Sequence, residues 1–153
     1  MTDRKKLIIP FDDAEFTSLI SIKNQNETRK IIQIVHPEFS CVCPVTGYPD
    51  FARCILRYVP DTSIVELKSW KLFLADHYGV GVLHEYAMQH IADTFNEVIQ
   101  PRWSRIIMDW SSRGGLKTTT MLTWSGKYDG YSSRPDDWEV DAFTDAQYEW
   151  NNR

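Results

Sequence analysis

The sequence predicts an α+β domain in the order β-β-α-α-β-β, a four-stranded antiparallel sheet with both helices on one face. Three observations predict it. Apolar and polar residues alternate over Ala52–Tyr58; apolar residues recur at helical spacing in two central segments; and a second alternating pair follows those helices.

The first 27 or so residues are mixed and polar and carry no clear period. Lys30-Ile31-Ile32-Gln33-Ile34-Val35 is β-branched and reads as a strand. Two prolines and a glycine punctuate Phe39 to Asp50, which reads as a loop. Then Ala52, Cys54, Leu56 and Tyr58 alternate with Arg53, Ile55 and Arg57, the pattern of a half-buried strand. Ser63-Ile64-Val65-Glu66 has the spacing of a capping box. The helix that it opens sets Leu67, Trp70, Phe73 and Leu74 on one face and ends at Gly79. A second helix carries Met88, Ile91, Ala92, Phe95, Val98 and Ile99 and stops before Pro101. Trp103–Trp110 and Thr118–Trp124 form the closing strands, joined through Arg113-Gly114-Gly115. Residues 126–153 are acidic and aromatic and read as a polar C-terminal tail of one domain spanning 1–153.

Length and composition suit that reading. At 153 residues, 42% hydrophobic and 25% charged, the chain has the mixture of a globular domain with a core. A net charge of −4 argues against general affinity for nucleic-acid phosphate, while leaving room for a local basic pocket. Leu7-Ile8-Ile9 before Pro10 is too short for a signal-peptide core, and no apolar run is long enough to span a membrane. Three cysteines without an export signal fit a reduced, cytoplasmic protein.

Those cysteines separate by context. Cys54 alternates with Ala52 and Leu56 and reads as a small buried hydrophobe. Cys41 and Cys43 have no second pair with which to close a zinc site, so no metal is expected. Cys43 stands in a turn-rich loop that leads to Asp50, an arrangement able to bring a thiolate and an acid to one place. Each remaining polar candidate has a sufficient structural explanation when taken alone: Glu66 as part of a cap, Lys68 and Lys71 as one solvated helix side, Glu85 as an acid in a helix's first turn.

In combination these segments resemble a known family. Glu66-Leu67-Lys68-Ser69-Trp70-Lys71-Leu72-Phe73 resembles the signature of the NADPH-dependent 7-cyano-7-deazaguanine reductases, the nitrile reductases of queuosine biosynthesis. Cys43-Pro44-Val45-Thr46-Gly47-Tyr48-Pro49-Asp50-Phe51-Ala52 is similar to that family's nucleophile loop, His84-Glu85 to its substrate-reading pair, and Arg113-Gly114-Gly115 to its late Arg-Gly step. The four segments come in the family's order and span residues 39–115; Cys41 is not part of the pattern and reads either as an oxidisable partner or as idle. The resemblance implies the tunnelling fold, in its short single-module form. It also implies that Cys43 is the nucleophile and Asp50 the proton donor, that Val65, Glu66, Leu67, His84 and Glu85 line the deazaguanine site, and that Lys68, Lys71, Arg113 and Gly114 meet NADPH.

The implied chemistry is a covalent thioimide on Cys43, formed with a proton from Asp50, then reduced with two NADPH to the primary amine. Two rivals remain: a non-reducing relative that turns the same thioimide into an amidine on tRNA, and an idle scaffold that only binds a purine-like ligand. The intact segment from Glu66 to Phe73 speaks against the first, the intact Cys43 and Asp50 against the second. The expected partners are the small deazaguanine and further copies of the chain, with no direct nucleic-acid or membrane contact. Apolar residues on both sides of the closing strands (Trp103, Ile107, Trp110, Met121, Trp124) predict burial of the open sheet face in a ring-shaped homo-oligomer with sites at subunit interfaces.

Overall fold

Four long strands carry the molecule: β3 (Ile32–Val42), β4 (Pro49–Val59), β7 (Trp103–Trp110) and β8 (Thr119–Ser125), each antiparallel to the next. The computed structural model describes residues 8–25 and 30–126, together with the backbone of 130 and 131. Helices α1 (Leu67–Ala75) and α2 (His84–Ile99) fall between β4 and β7 in the chain.

The central order matches the alternation in the sequence, but a four-stranded, purely antiparallel sheet is corrected. Short strands extend it: β1 (Ile9–Pro10), β6 (Val80–Gly81) and β9 (Gly130–Tyr131) give the order β1-β6-β3-β4-β7-β8-β9. The β1–β6 and β6–β3 pairs are parallel, so the sheet is mixed. A separate ribbon pairs β2 (Ser21–Lys23) with β5 (Ser63–Val65). Two- and three-residue strands present no period of their own; they exist because a neighbour's ladder satisfies them, as when Val82 N–H donates to the Val42 carbonyl at 3.0 Å. Of the expected tail, residues 127–129 and 132–153 lie outside the described residues.

Two boundaries move in ways that matter for the site. Strand β3 runs on to Val42, seven residues past the expected end, through an irregularity between His36 and Phe39 that accommodates Pro37. Cys41 therefore lies within a strand, opposite Asp50, and the loop contracts to the residues between Val42 and Pro49. Ser63 is a strand residue paired with Lys23, so it caps nothing. Glu66 is itself the N-cap of α1, accepting from the backbone N–H groups of Lys68 and Ser69 at 2.7 Å each.

The core lies between the helices and one sheet face. Phe39, Cys54, Leu56, Ile106, Met108 and Trp110 meet Trp70, Phe73 and Leu74 of α1 and Met88, Ile91 and Phe95 of α2. Burial of so many large side chains outweighs the modest helix propensity of their aromatic members. Leu67 and Val98, expected on the buried helix faces, are exposed. On the opposite sheet face Ile55, Arg57, Val59 and Trp103 are buried, while Met121 is exposed. Among the described residues no helix is long and apolar enough to cross a membrane.

Candidate active site

The Cys43 loop is closed by its own backbone. Cys43 N–H donates to the Tyr48 carbonyl at 2.9 Å, and the Cys43 carbonyl accepts from Gly47 N–H at 2.8 Å. Gly47 sits at φ 76°, a conformation that costs glycine little and other residues more. This tight reversal delivers Asp50 to the start of β4, next to the end of β3, which Cys43 directly follows.

Two further elements converge there. The first residue of α2, His84, lays its imidazole on the Trp110 indole with ring centroids 3.9 Å apart and planes 6° from parallel. Its Nε2 approaches Oδ2 of Asp50 to 3.1 Å, a close contact without hydrogen-bond alignment. After β7 the chain turns through Gly114 and Gly115, and Arg113 reaches back so that its Nη1 donates to Oδ1 of Asp50 at 2.6 Å. Lys117 anchors this turn by donating to the Trp110 carbonyl and to Asp109, and Ser111 N–H donates to the Phe51 carbonyl at 2.9 Å.

The three thiols differ sharply. Burial pushes Cys43 up, but hydrogen bonds from the Thr46 side chain, from the Thr46 and Val45 backbone and from the Arg113 guanidinium outweigh it, leaving the thiol below its ordinary value. Successive loop N–H groups aimed at the sulfur form an anion-holding concavity. Burial, reinforced by Asp50 and Cys43, pushes Cys41 up to about 12, and burial alone does the same to Cys54. All three are free thiols, and only Cys43 is poised as a nucleophile.

Cys43, Asp50, His84, Glu85 and Arg113 line one cavity of about 210 Å³. That volume is below the roughly 300–1,000 Å³ of sites for drug-sized ligands and suits one small heterocycle. Of the residues expected from the sequence, these five come together, with Gly114 adjacent in the turn.

The others do not join them. Val65 is buried at the end of β5, its N–H donating to the Tyr58 hydroxyl at 3.2 Å. Tyr58 and Asp50 stand eight residues apart along β4, about 26 Å at the rise of an antiparallel strand. Val65, Glu66 and Leu67 thus lie near the far end of the strand, and Lys68 and Lys71 project into solvent from the helix that follows. Glu66 is held below the ordinary carboxylate range by the Lys68 and Ser69 N–H groups that it caps. Sequence reasoning missed Trp110 as the platform for His84 and Thr46 as a donor to the thiol; neither contact has a signature in spacing.

The chain is similar to known proteins along much of its length. A family model described as "QueF-like protein" matches residues 49–128. The NADPH-dependent 7-cyano-7-deazaguanine reductase of Chlorobium phaeobacteroides is 44% identical over 96 residues, covering 63% of this chain and 83% of that one. The reductase of the same name from Chloroherpeton thalassium is 36% identical over 110 residues, covering 71% and 95%. Among solved structures, the apo form of the archaeosine synthase QueF-Like aligns with a TM-score of 0.58 at 17% identity, over 63% of this chain and 93% of that one. This last likeness concerns the fold.

Proposed function

From the premise that the chain belongs to the QueF-like protein family, we propose that it reduces the nitrile of 7-cyano-7-deazaguanine to 7-aminomethyl-7-deazaguanine with two NADPH, as a cytoplasmic step of queuosine biosynthesis. One observation carries the reading: the thiol held most ready to ionise shares a small cavity with an aspartate, a histidine and an exposed glutamate.

Cys43 as thiolate attacks the nitrile carbon, and the thiol proton passes through Asp50 to the nitrile nitrogen, giving a neutral thioimide. NADPH when bound would supply the hydride at that carbon and, after Cys43 departs, at the imine carbon, where the nitrogen takes up one further proton from solvent to give the amine. Expulsion of the Cys43 thiolate needs no further proton. Glu85 on the cavity wall is suited to accept from two neighbouring N–H groups of the deazaguanine edge, and His84 stands 3.1 Å from Asp50 on the other side. Lys68 and Lys71 are exposed and make no salt bridge with any described residue, which fits cations kept for a phosphate-bearing cofactor. Arg113 and Gly114 complete the proposed cofactor surface.

The separation of Val65–Lys71 from Cys43 favours a site built from two chains. If those residues contact substrate and cofactor as the resemblance implies, a neighbouring copy must supply them, which supports the expected ring-shaped oligomer with interfacial sites. Mixing the protein with NADPH and the nitrile tests the function: NADPH absorbance should fall by two equivalents per amine formed. Thioimide formation with no NADPH consumption, yielding amidine on addition of ammonia, would instead mark the non-reducing chemistry.

A further inference from the structure

We infer that Arg113 is a catalytic residue of the covalent step, the cation that holds Cys43 as a thiolate and stays paired with the Cys43–Asp50 couple while a proton crosses it. The inference deepens the nitrile-reductase reading, in which Arg113 is otherwise a cofactor contact. It starts from where the guanidinium is committed. Nη1 donates to Oδ1 of Asp50 at 2.6 Å, and the same side chain lines the cavity beside Cys43, where its charge favours the thiolate.

The position is built into the fold. The Gly114–Gly115 reversal returns the chain, with Arg113 and Leu116 exchanging backbone hydrogen bonds of 3.0 Å each. Lys117 ties the end of that turn to β7. Around the sulfur stand Asp50 from β4, Cys41 from β3, and His84 and Glu85 from α2. Cys41 is a neutral buried thiol, Glu85 brings no positive charge, and Asp50 can take the thiol proton but cannot counter the charge left on sulfur. Among the described residues lining the cavity, Arg113 is the sole arginine or lysine. When the thiol proton moves to Asp50, negative charge moves from carboxylate to sulfur. A guanidinium bonded to the carboxylate and facing the same cavity as the sulfur keeps a partner throughout, and its planar fork suits that bridge better than an ammonium.

The test separates this duty from cofactor binding by leaving NADPH out. The pH dependence of Cys43 alkylation by iodoacetamide is measured in the wild type, Arg113→Lys and Arg113→Met, with the modified peptide identified by mass. In parallel, adduct formation with 7-cyano-7-deazaguanine is timed by intact mass. Arg113→Met should move the alkylation midpoint up by about one pH unit or more, with Arg113→Lys in between. Adduct formation near neutral pH should slow about tenfold. An unchanged profile and adduct rate, with only the Michaelis constant for NADPH raised, would overturn the inference. If the wild type forms no adduct while the alkylation midpoint still moves, the substrate reading fails and the role of Arg113 in holding the thiolate stands. Should Arg113→Met fail to fold, by circular dichroism, Arg113→Lys decides the same question.

Discussion

The imidazole of His84 lies flat on the indole of Trp110, 3.9 Å between centroids, and this contact sets Nε2 3.1 Å from Oδ2 of Asp50. Trp110 is itself fully buried and fixed by donating Nε1–H to the Thr120 hydroxyl at 3.1 Å. A core residue therefore sets the position of a site residue. Trp110→Phe, which keeps a flat ring, should fold and lose only part of the thioimide rate. Trp110→Leu should lose more, because no plane remains for His84 to lie on. Adduct formation timed beside thermal melts checks this; equal rates in the two variants at equal stability would refute the positioning role.

The contrast among thiols predicts which variant abolishes covalent capture. With the nitrile and no NADPH, Cys43→Ala should give no adduct, whereas Cys41→Ala and Cys54→Ala should keep it. Cys41 and Cys54 are buried and their thiols are pushed up to about 12, so neither supplies thiolate near neutral pH. Intact mass of the three variants is decisive, and an adduct that survives in Cys43→Ala ends the mechanism proposed here.

Asp50 and Glu85 should fail in different ways. Asp50→Asn removes the proposed proton path and should slow thioimide formation by about 10²–10⁴-fold with nitrile affinity nearly kept. Glu85→Leu should weaken binding, because it leaves the donors of the heterocycle without a partner. Calorimetric titration in a Cys43→Ala background, beside adduct kinetics of each single variant, separates the two. An equal affinity loss in both would undo this division of roles.

What the sequence made legible follows how local each cause is. Helix α2 could be placed because its apolar period, and Pro101 just beyond it, act within a few residues. Strand β7 was equally plain from alternation. The first 23 residues hid two strands because their partners, Val80–Gly81 and Ser63–Val65, are distant in the chain. That pairing also explains the misread cap: Ser63 meets Lys23, and the cap passes to Glu66. In the site, Cys43 and Asp50 were visible as one loop, whereas Arg113 meets Asp50 across 63 residues and Trp110 meets His84 through stacking, which leaves no trace in spacing.

His77 predicts acid sensitivity of the fold. Its ring is fully buried, and burial, reinforced by the nearby His90, lowers it to about 4 from an ordinary 6.5, against the hydrogen bonds to the Phe73 and Leu74 carbonyls. Burial lowers His90 as well. Between those values the unfolded chain holds a proton that the folded chain refuses, so stability is complete above about pH 6.5 and falls as pH drops toward 4. The loss from His77 should reach about 3 kcal/mol at the low end. Urea midpoints across that window should fall with pH and fall less steeply in His77→Phe; parallel curves would remove His77 as the cause.

The distance along β4 between Asp50 and Tyr58 makes the last prediction, because Cys43 and Lys68 stand toward opposite ends of the strand. In a site assembled within one chain, Cys43→Ala and Lys68→Glu would each be dead and a mixture of the two would be dead as well. If one chain gives Cys43 and its neighbour gives Lys68, a randomly mixed ring holds some sites with both native residues. With equal amounts and random assembly, about one quarter of sites are complete. Lys68 is exposed and its side chain supports nothing in the core, so the charge reversal leaves the fold intact. The two variants are to be unfolded together, refolded as a mixture and assayed for NADPH consumption beside each variant refolded alone. Recovery of roughly a quarter of wild-type activity is the expected result. No recovery, in mixed assemblies whose size by light scattering equals that of the wild type, or full wild-type activity in a monomer, would place the whole site within one chain.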